Sequence, residues 1–192
     1  VLFDRRLVPE RDSLFFLSKE YETVIFEEEA PYSVLTGVAK ATRENEAVSG
    51  DTCSVIENGN GSLILALSDG MGSGEKAMAD SEAVIDLLEK FIEAGFSKET
   101  AVEMINGVLI ARSEEGNMST LDICDINLYT ASCEMVKVGS SYTYIKRGEV
   151  VEQIAAKNLP LGIFHKIDLD KQNGQLKDGD YVIMVSDGIV DG

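Results

Sequence analysis

Two short apolar runs end in the same tripeptide, and this repetition constrains the fold more than any other feature of the chain. Residues 63–67 run into Ser68-Asp69-Gly70, and residues 181–185 run into Ser186-Asp187-Gly188. Apolar runs of this length, bounded by turn formers, predict strands buried on both faces. A carboxylate just beyond such a strand is costly unless its charge is matched. The glycine after it lets the chain turn and leaves a carbonyl accessible. If the two strands are neighbours, Asp69 and Asp187 meet at one sheet end, where carboxylate and carbonyl oxygens suit a hard divalent ion such as Mg2+ or Mn2+. The alternative is a pair of ordinary turn aspartates. Asp51, in Ser49-Gly50-Asp51, is a third candidate. Asn58-Gly59-Asn60-Gly61 is a hairpin signal, and counting back across it brings Asp51 near Asp69.

Between the two runs the period changes. Ala77, Ser81, Val84, Ile85, Leu88, Phe91 and Ile92 share one helical face, with Gly95 placed as a C-terminal cap. Ser97 caps a second predicted helix, whose stripe is Ala101, Val102, Ile105, Val108 and Leu109. Strands are predicted over residues 121–129, 133–138, 142–146 and 150–154, in what reads as an antiparallel meander. Residues 32–41 and 52–57 are rich in β-formers. The first 30 residues read as a linker or edge-strand region, with 14–17 as the strand candidate, before a domain spanning 31–192. Strands, two helices, then strands favour an α+β sandwich over a parallel βαβ fold.

Charge and rare residues exclude several functions. The 34 Asp and Glu outnumber the 17 Lys and Arg, a net charge of −17, so nucleic acid and anionic lipid are not expected partners. Cys53, Cys124 and Cys133 have no paired spacing, which argues against a disulfide scaffold or a cysteine zinc site. His165 is the only histidine and lies in a polar loop, so it reads as a surface residue. No apolar run approaches the roughly 20 residues of a membrane span, and no signal peptide is visible. Gly70-Met71-Gly72-Ser73-Gly74 stands where a phosphate-cradling loop would, but lacks both the dinucleotide spacing and the Gly-Lys-Ser/Thr ending. Nucleotide binding is therefore a lesser alternative. Residues 168–174 have a late glycine and no closing glutamate, so they are not a calcium loop. Asp122 breaks the alternation of its strand and reads as a bulge or a polar residue behind the site, not as a ligand.

Taken in order, Gly50-Asp51, Ser68-Asp69-Gly70-Met71-Gly72-Ser73-Gly74, Ser119-Thr120-Leu121-Asp122, Lys137-Val138-Gly139-Ser140, Asn158-Leu159-Pro160-Leu161-Gly162 and Ser186-Asp187-Gly188 resemble the metal-dependent type 2C (PPM) serine/threonine phosphatases, and within them the SpoIIE-type phosphatase domains. The resemblance implies a β-sandwich of mainly antiparallel strands flanked by antiparallel helix pairs, with two Mn2+ or Mg2+ ions at one edge. It implies that Asp69 bridges both metals, that Asp51 and the Gly70 carbonyl serve one, and that Asp187 serves the other. It implies in-line attack of water on phosphorus in a phosphoserine or phosphothreonine protein. The implied partner is a phosphorylated anti-anti-sigma factor with a STAS domain, whose dephosphorylation activates a sporulation sigma factor. The implied setting is the cytoplasmic domain of a membrane-anchored protein, with a homo-oligomer formed through a preceding region. A non-catalytic signalling module of the same fold is the alternative. Two departures matter. Met71 stands where many members have a histidine that protonates the leaving alkoxide. The family also carries another metal-binding aspartate beyond the second Ser-Asp-Gly, past Gly192, so the domain and its metal site are expected to be C-terminally incomplete.

Overall fold

Alternation along the central strands sorts apolar side chains onto two faces, and each face recruits its own layer. The computed structural model describes residues 5–9, 16, 19–42, 48–112, 117–139 and 142–190. A five-stranded antiparallel sheet is built from β3 (Asp51–Asn58), β4 (Ser62–Asp69), β5 (Leu121–Asn127), β6 (Ser132–Val138) and β9 (Asp170–Gln175), in that spatial order. The helices α1 (Gly74–Glu93) and α2 (Lys98–Ala111) form a hairpin against one face. A three-stranded antiparallel sheet in the order β10 (Tyr181–Val185), β7 (Tyr142–Arg147), β8 (Val150–Ala155) packs against the other. A small ribbon of β1 (Leu7–Pro9) and β2 (Phe26–Glu28) joins the body where Tyr129 Oη donates to the Glu28 carbonyl at 3.0 Å. The single turn α3 (Asp187–Val190) follows β10.

Leu121 and Ile123 of β5, with Val136 and Val138 of β6, pack with Val84, Leu88, Val102, Ile105 and Leu109 of the helices. Their strand neighbours Cys124, Ile126, Cys133 and Met135 pack with Ile145 and Ile154 of the second sheet. The middle of the large sheet is thus covered on both sides, which is why consecutive β5 residues, Leu121 to Cys124, are all buried. The predicted helices agree with α1 and α2, and Ser97 Oγ accepts from the Thr100 N–H at 3.3 Å as the cap of α2. At the Asn58 turn the Gly61 N–H donates to the Asn58 carbonyl at 3.0 Å.

The expected meander is interrupted. β6 pairs with β9, and the chain crosses to the second sheet before β7. β9 has the sequence DKQNGQ and was not predicted as a strand; its pairing comes from the free edge of β6, not from its own apolar pattern. Residues 32–42 form no ladder despite their β-rich composition. β5 stops at Asn127, whose Oδ1 accepts from the Tyr129 and Thr130 N–H groups at 2.9 and 3.0 Å. The strand candidate at 14–17 lies almost wholly outside the described residues. Asp122 does not bulge: it stays in register with Lys137, on the face turned toward the second sheet. All three cysteines are free thiols. Among the described residues no helix is long and apolar enough to cross a membrane.

Candidate active site

The register of the β3–β4 hairpin sets Asp51 directly across from Asp69. Just beyond, the Gly70 N–H donates to the Gly50 carbonyl at 3.2 Å and closes the pair. Asp187 arrives from the other layer, at the end of β10. The two Ser-Asp-Gly tripeptides therefore terminate strands of opposing sheets, not adjacent strands of one sheet as the sequence argument supposed. They meet nonetheless, because the two layers end together at this edge and Asp187 is close enough to Asp69 to act on its proton.

The serines of the repeated tripeptide do different work. Ser186 Oγ donates to Asp51 Oδ2 at 2.9 Å, a bond that passes from one sheet to the other. Ser49 Oγ donates to the same oxygen at 3.2 Å and accepts from the Asp51 N–H at 3.3 Å. Ser68 Oγ is buried and lies 2.8 Å from Ser119 Oγ, which donates to the Asp69 carbonyl at 2.8 Å. Thr120 completes this fastening: its N–H donates to the Asp69 carbonyl at 2.9 Å, and its Oγ1 accepts from the Asp69 N–H at 3.2 Å. The Ser119-Thr120 pair thus holds the backbone of the central aspartate. Sequence reasoning singled out this motif without a role for it, and missed the positioning hydroxyls of Ser49 and Ser186; a serine two residues before Asp51 and one directly before Asp187 were the available signal.

Gly70 is required by packing. A Cβ there would lie 1.9 Å from the Ala77 carbonyl oxygen, because the first turn of α1 runs against the strand end. At Gly50 a Cβ would come within 3.0 Å of Ala77 Cβ, 3.4 Å of the Gly70 oxygen and 3.8 Å of Asp69 Oδ1. A side chain at Gly50 would thus crowd both the Gly70 carbonyl and the Asp69 carboxyl.

Burial first, and then the negative charges of Asp51 and Asp187 and their hydrogen bonds, push the Asp69 carboxyl up to about 7. A carboxyl so crowded is stabilised as its anion by a cation. The nearby donors are all oxygens, three carboxylates and a peptide carbonyl, the set that a hard divalent ion prefers. Among the described residues no three carboxylate, imidazole or thiol side chains converge on one point at coordination distance. The fit to a divalent ion is accordingly one of donor chemistry and charge.

The three aspartates line a cavity of about 800 Å3, walled by residues 38–42, the loop 70–73 and Ile189. Lys40 is the basic side chain on its wall among the described residues, opposed by Asp51, Asp69, Asp187 and Glu82. Its Nζ donates to the Asp51 carbonyl at 2.6 Å. Sequence reasoning passed over Lys40, which stands in a segment of small and apolar residues. Met71 is half exposed at the rim, and His165 is exposed in the loop after Gly162. A second cavity, of about 740 Å3, is walled by Val34, Leu35, Val55, Leu65 and Val182 and holds none of the three aspartates.

Residues 59–192 match the family described as stage II sporulation protein E (SpoIIE). Over 172 residues the chain is 43% identical to stage II sporulation protein E of Bacillus subtilis (strain 168), covering 90% of this chain and 21% of that protein. It is 42% identical over 161 residues to its counterpart in Priestia megaterium, covering 84% and 28%. The chain therefore spans well under a third of the length of these curated relatives. Its fold is similar to the solved PP2C phosphatase domain, with a fragment of the regulatory domain, of the cell fate determinant SpoIIE from Bacillus subtilis. The TM-score is 0.80 at 38% identity, with 99% of this chain and 55% of that chain covered.

Proposed function

The chain belongs to the stage II sporulation protein E family, and on that premise we propose that it is a metal-dependent protein phosphatase for phosphoserine or phosphothreonine. Asp51, Asp69, the Gly70 carbonyl and Asp187 are the residues that would hold its two Mn2+ or Mg2+ ions. The observation that carries this reading is the meeting of carboxylates from two sheets at one cavity, with the Asp69 carboxyl pushed up to about 7 by burial first and then by Asp51 and Asp187.

When bound, divalent ions supply a nucleophile from water at neutral pH and neutralise phosphate charge. The chain's own groups orient the ligands and receive the substrate. Ser49 and Ser186 fix the Asp51 carboxylate by donating to one of its oxygens. Ser119 and Thr120 fix the Asp69 main chain. Lys40 brings an ammonium group to a cavity whose other charged walls are acidic, and so favours entry of a phosphoryl dianion into a strongly acidic protein. Met71 has no proton to donate, so the proton for the leaving alkoxide comes from another group.

The substrate we assign is the phosphoserine of a STAS-domain anti-anti-sigma factor, whose dephosphorylation activates a sporulation sigma factor. Membership of the family supports this assignment, together with a membrane-anchored whole protein that oligomerises through a preceding region. The test is Mn2+-dependent phosphate release from a phosphoserine STAS-domain protein by the full-length protein. Release by the wild type and its loss in Asp69→Ala are the expected results. Release that persists in Asp69→Ala refutes the assigned site, and no release by the wild type favours the non-catalytic module.

A further inference from the structure

We propose that Asp122, Lys137 and Thr143 form a clamp between the two sheets that sets Asp187 against Asp51 and Asp69. They are positioning residues for the metal site, and this rests on the reading of the three aspartates as that site. The site is divided between layers: Asp51 and Asp69 belong to the five-stranded sheet, and Asp187 follows a strand of the three-stranded sheet. Among the described residues no ladder joins the two sheets. Between them lie Cys124, Ile126, Met135, Ile145 and Ile154, and apolar contact of this kind has no direction. It holds the layers together without fixing how far one slides over the other.

The clamp is directional. Asp122 on β5 and Lys137 on β6 are paired in register, fully buried and joined through Lys137 Nζ and Asp122 Oδ2. Lys137 Nζ also donates to Thr143 Oγ1 at 2.8 Å, and Thr143 Oγ1 donates to Asp122 Oδ2 at 2.5 Å. Thr143 is on β7, so these bonds cross from one sheet to the other. Their place along the strands is next to the site. Asp122 is opposite Leu67, two residues before Asp69. Thr143 is opposite Met184, three residues before Asp187. Each end of the clamp is thus one strand away from an aspartate it would position. Asp122 Oδ1 has no hydrogen-bond partner, so the ionic group is not fully compensated in its buried place. Apolar residues of similar size would hold the sheets together at least as well, so what the pair adds is direction.

The experiment uses the full-length protein and three readouts: Mn2+ binding by electron paramagnetic resonance, unfolding by urea, and phosphate release. Thr143→Val removes the hydroxyl and keeps the shape. We expect it to fold and to bind Mn2+ roughly 10-fold more weakly, the size of effect seen when a group that orients metal ligands is lost. Thr143→Ser should restore binding. Asp122→Leu combined with Lys137→Met should match wild-type stability while still binding Mn2+ weakly. Ile154→Val trims the same gap without touching the clamp, and should lower stability while leaving Mn2+ affinity at the wild-type value. The proposal is overturned if Thr143→Val binds Mn2+ as tightly as the wild type, or if Ile154→Val weakens binding equally. Should Thr143→Val fail to fold, the double variant decides: tight Mn2+ binding by it overturns the clamp. A wild type that binds no Mn2+ overturns the metal site itself, a distinguishable failure.

Discussion

Replacing Lys137 with methionine keeps most of the side chain's length and removes its charge. Lys137 and Asp122 are each 0% exposed. In the variant, Asp122 retains the Thr143 hydroxyl on Oδ2 and has no partner on Oδ1. Around it stand Cys124, Met135 and Ile145, which cannot stabilise a carboxylate. Removing one member of a buried ion pair costs about 3–5 kcal/mol. For a chain of this length each kcal/mol lowers the melting temperature by about 2–4 °C, so the variant should melt roughly 6–20 °C lower. That is a large share of a typical stability of about 5–15 kcal/mol. Adding Asp122→Leu removes the stranded acid and should return stability to within about 1 kcal/mol of wild type or above it. Urea unfolding at pH 7 followed by circular dichroism gives both quantities. A single variant that costs less than about 1 kcal/mol at pH 7 refutes the reasoning, as does a double variant no more stable than the single one.

Gly70→Ala places a Cβ 1.9 Å from the Ala77 oxygen, so either the strand end or the start of α1 must move; a displacement of about 1 Å at a reacting centre costs about 100-fold in turnover, measurable as phosphate release beside a thermal melt. Lys40→Met should raise KM for the phosphoprotein while leaving kcat nearly unchanged, and Lys40→Arg should restore it; steady-state kinetics showing a fall in kcat alone would contradict the role of a substrate-binding cation. Glu99 is held down to about 2, chiefly by the Lys171 ammonium at 2.5 Å and also by a backbone hydrogen bond. Its contribution is present above the ordinary glutamate range and is lost as pH falls from about 4.3 toward the folded value. Because both groups are about a third exposed, Lys171→Met should cost under about 1 kcal/mol at pH 7 and show a smaller difference from wild type in acid, read by urea unfolding at pH 7 and pH 3.

Local chemistry made much of this protein legible before any coordinates. The Asn58 turn closes a hairpin whose register follows from counting, so the meeting of Asp51 and Asp69 was readable from one stretch of 19 residues, 51 to 69. The faces of α1 and α2 follow from a period that neighbouring residues carry themselves. The ordered motifs identified the family, because each lies within a few residues of chain. What the sequence left undecided was everything that depends on remote neighbours. It did not say that β4 and β10 belong to different sheets, that β6 pairs with the polar β9, or that Asp122, set among apolar residues, meets Lys137 and Thr143. Nor could it separate Ser68, which braces a strand end, from Ser186, which reaches Asp51 across the layers. Turns and helical faces are governed by short-range geometry, whereas the choice of sheet is settled by burying apolar area, a force without direction that many arrangements satisfy about equally. Only in the tertiary structure do the few directional bonds between layers select one arrangement, and with it the position of Asp187.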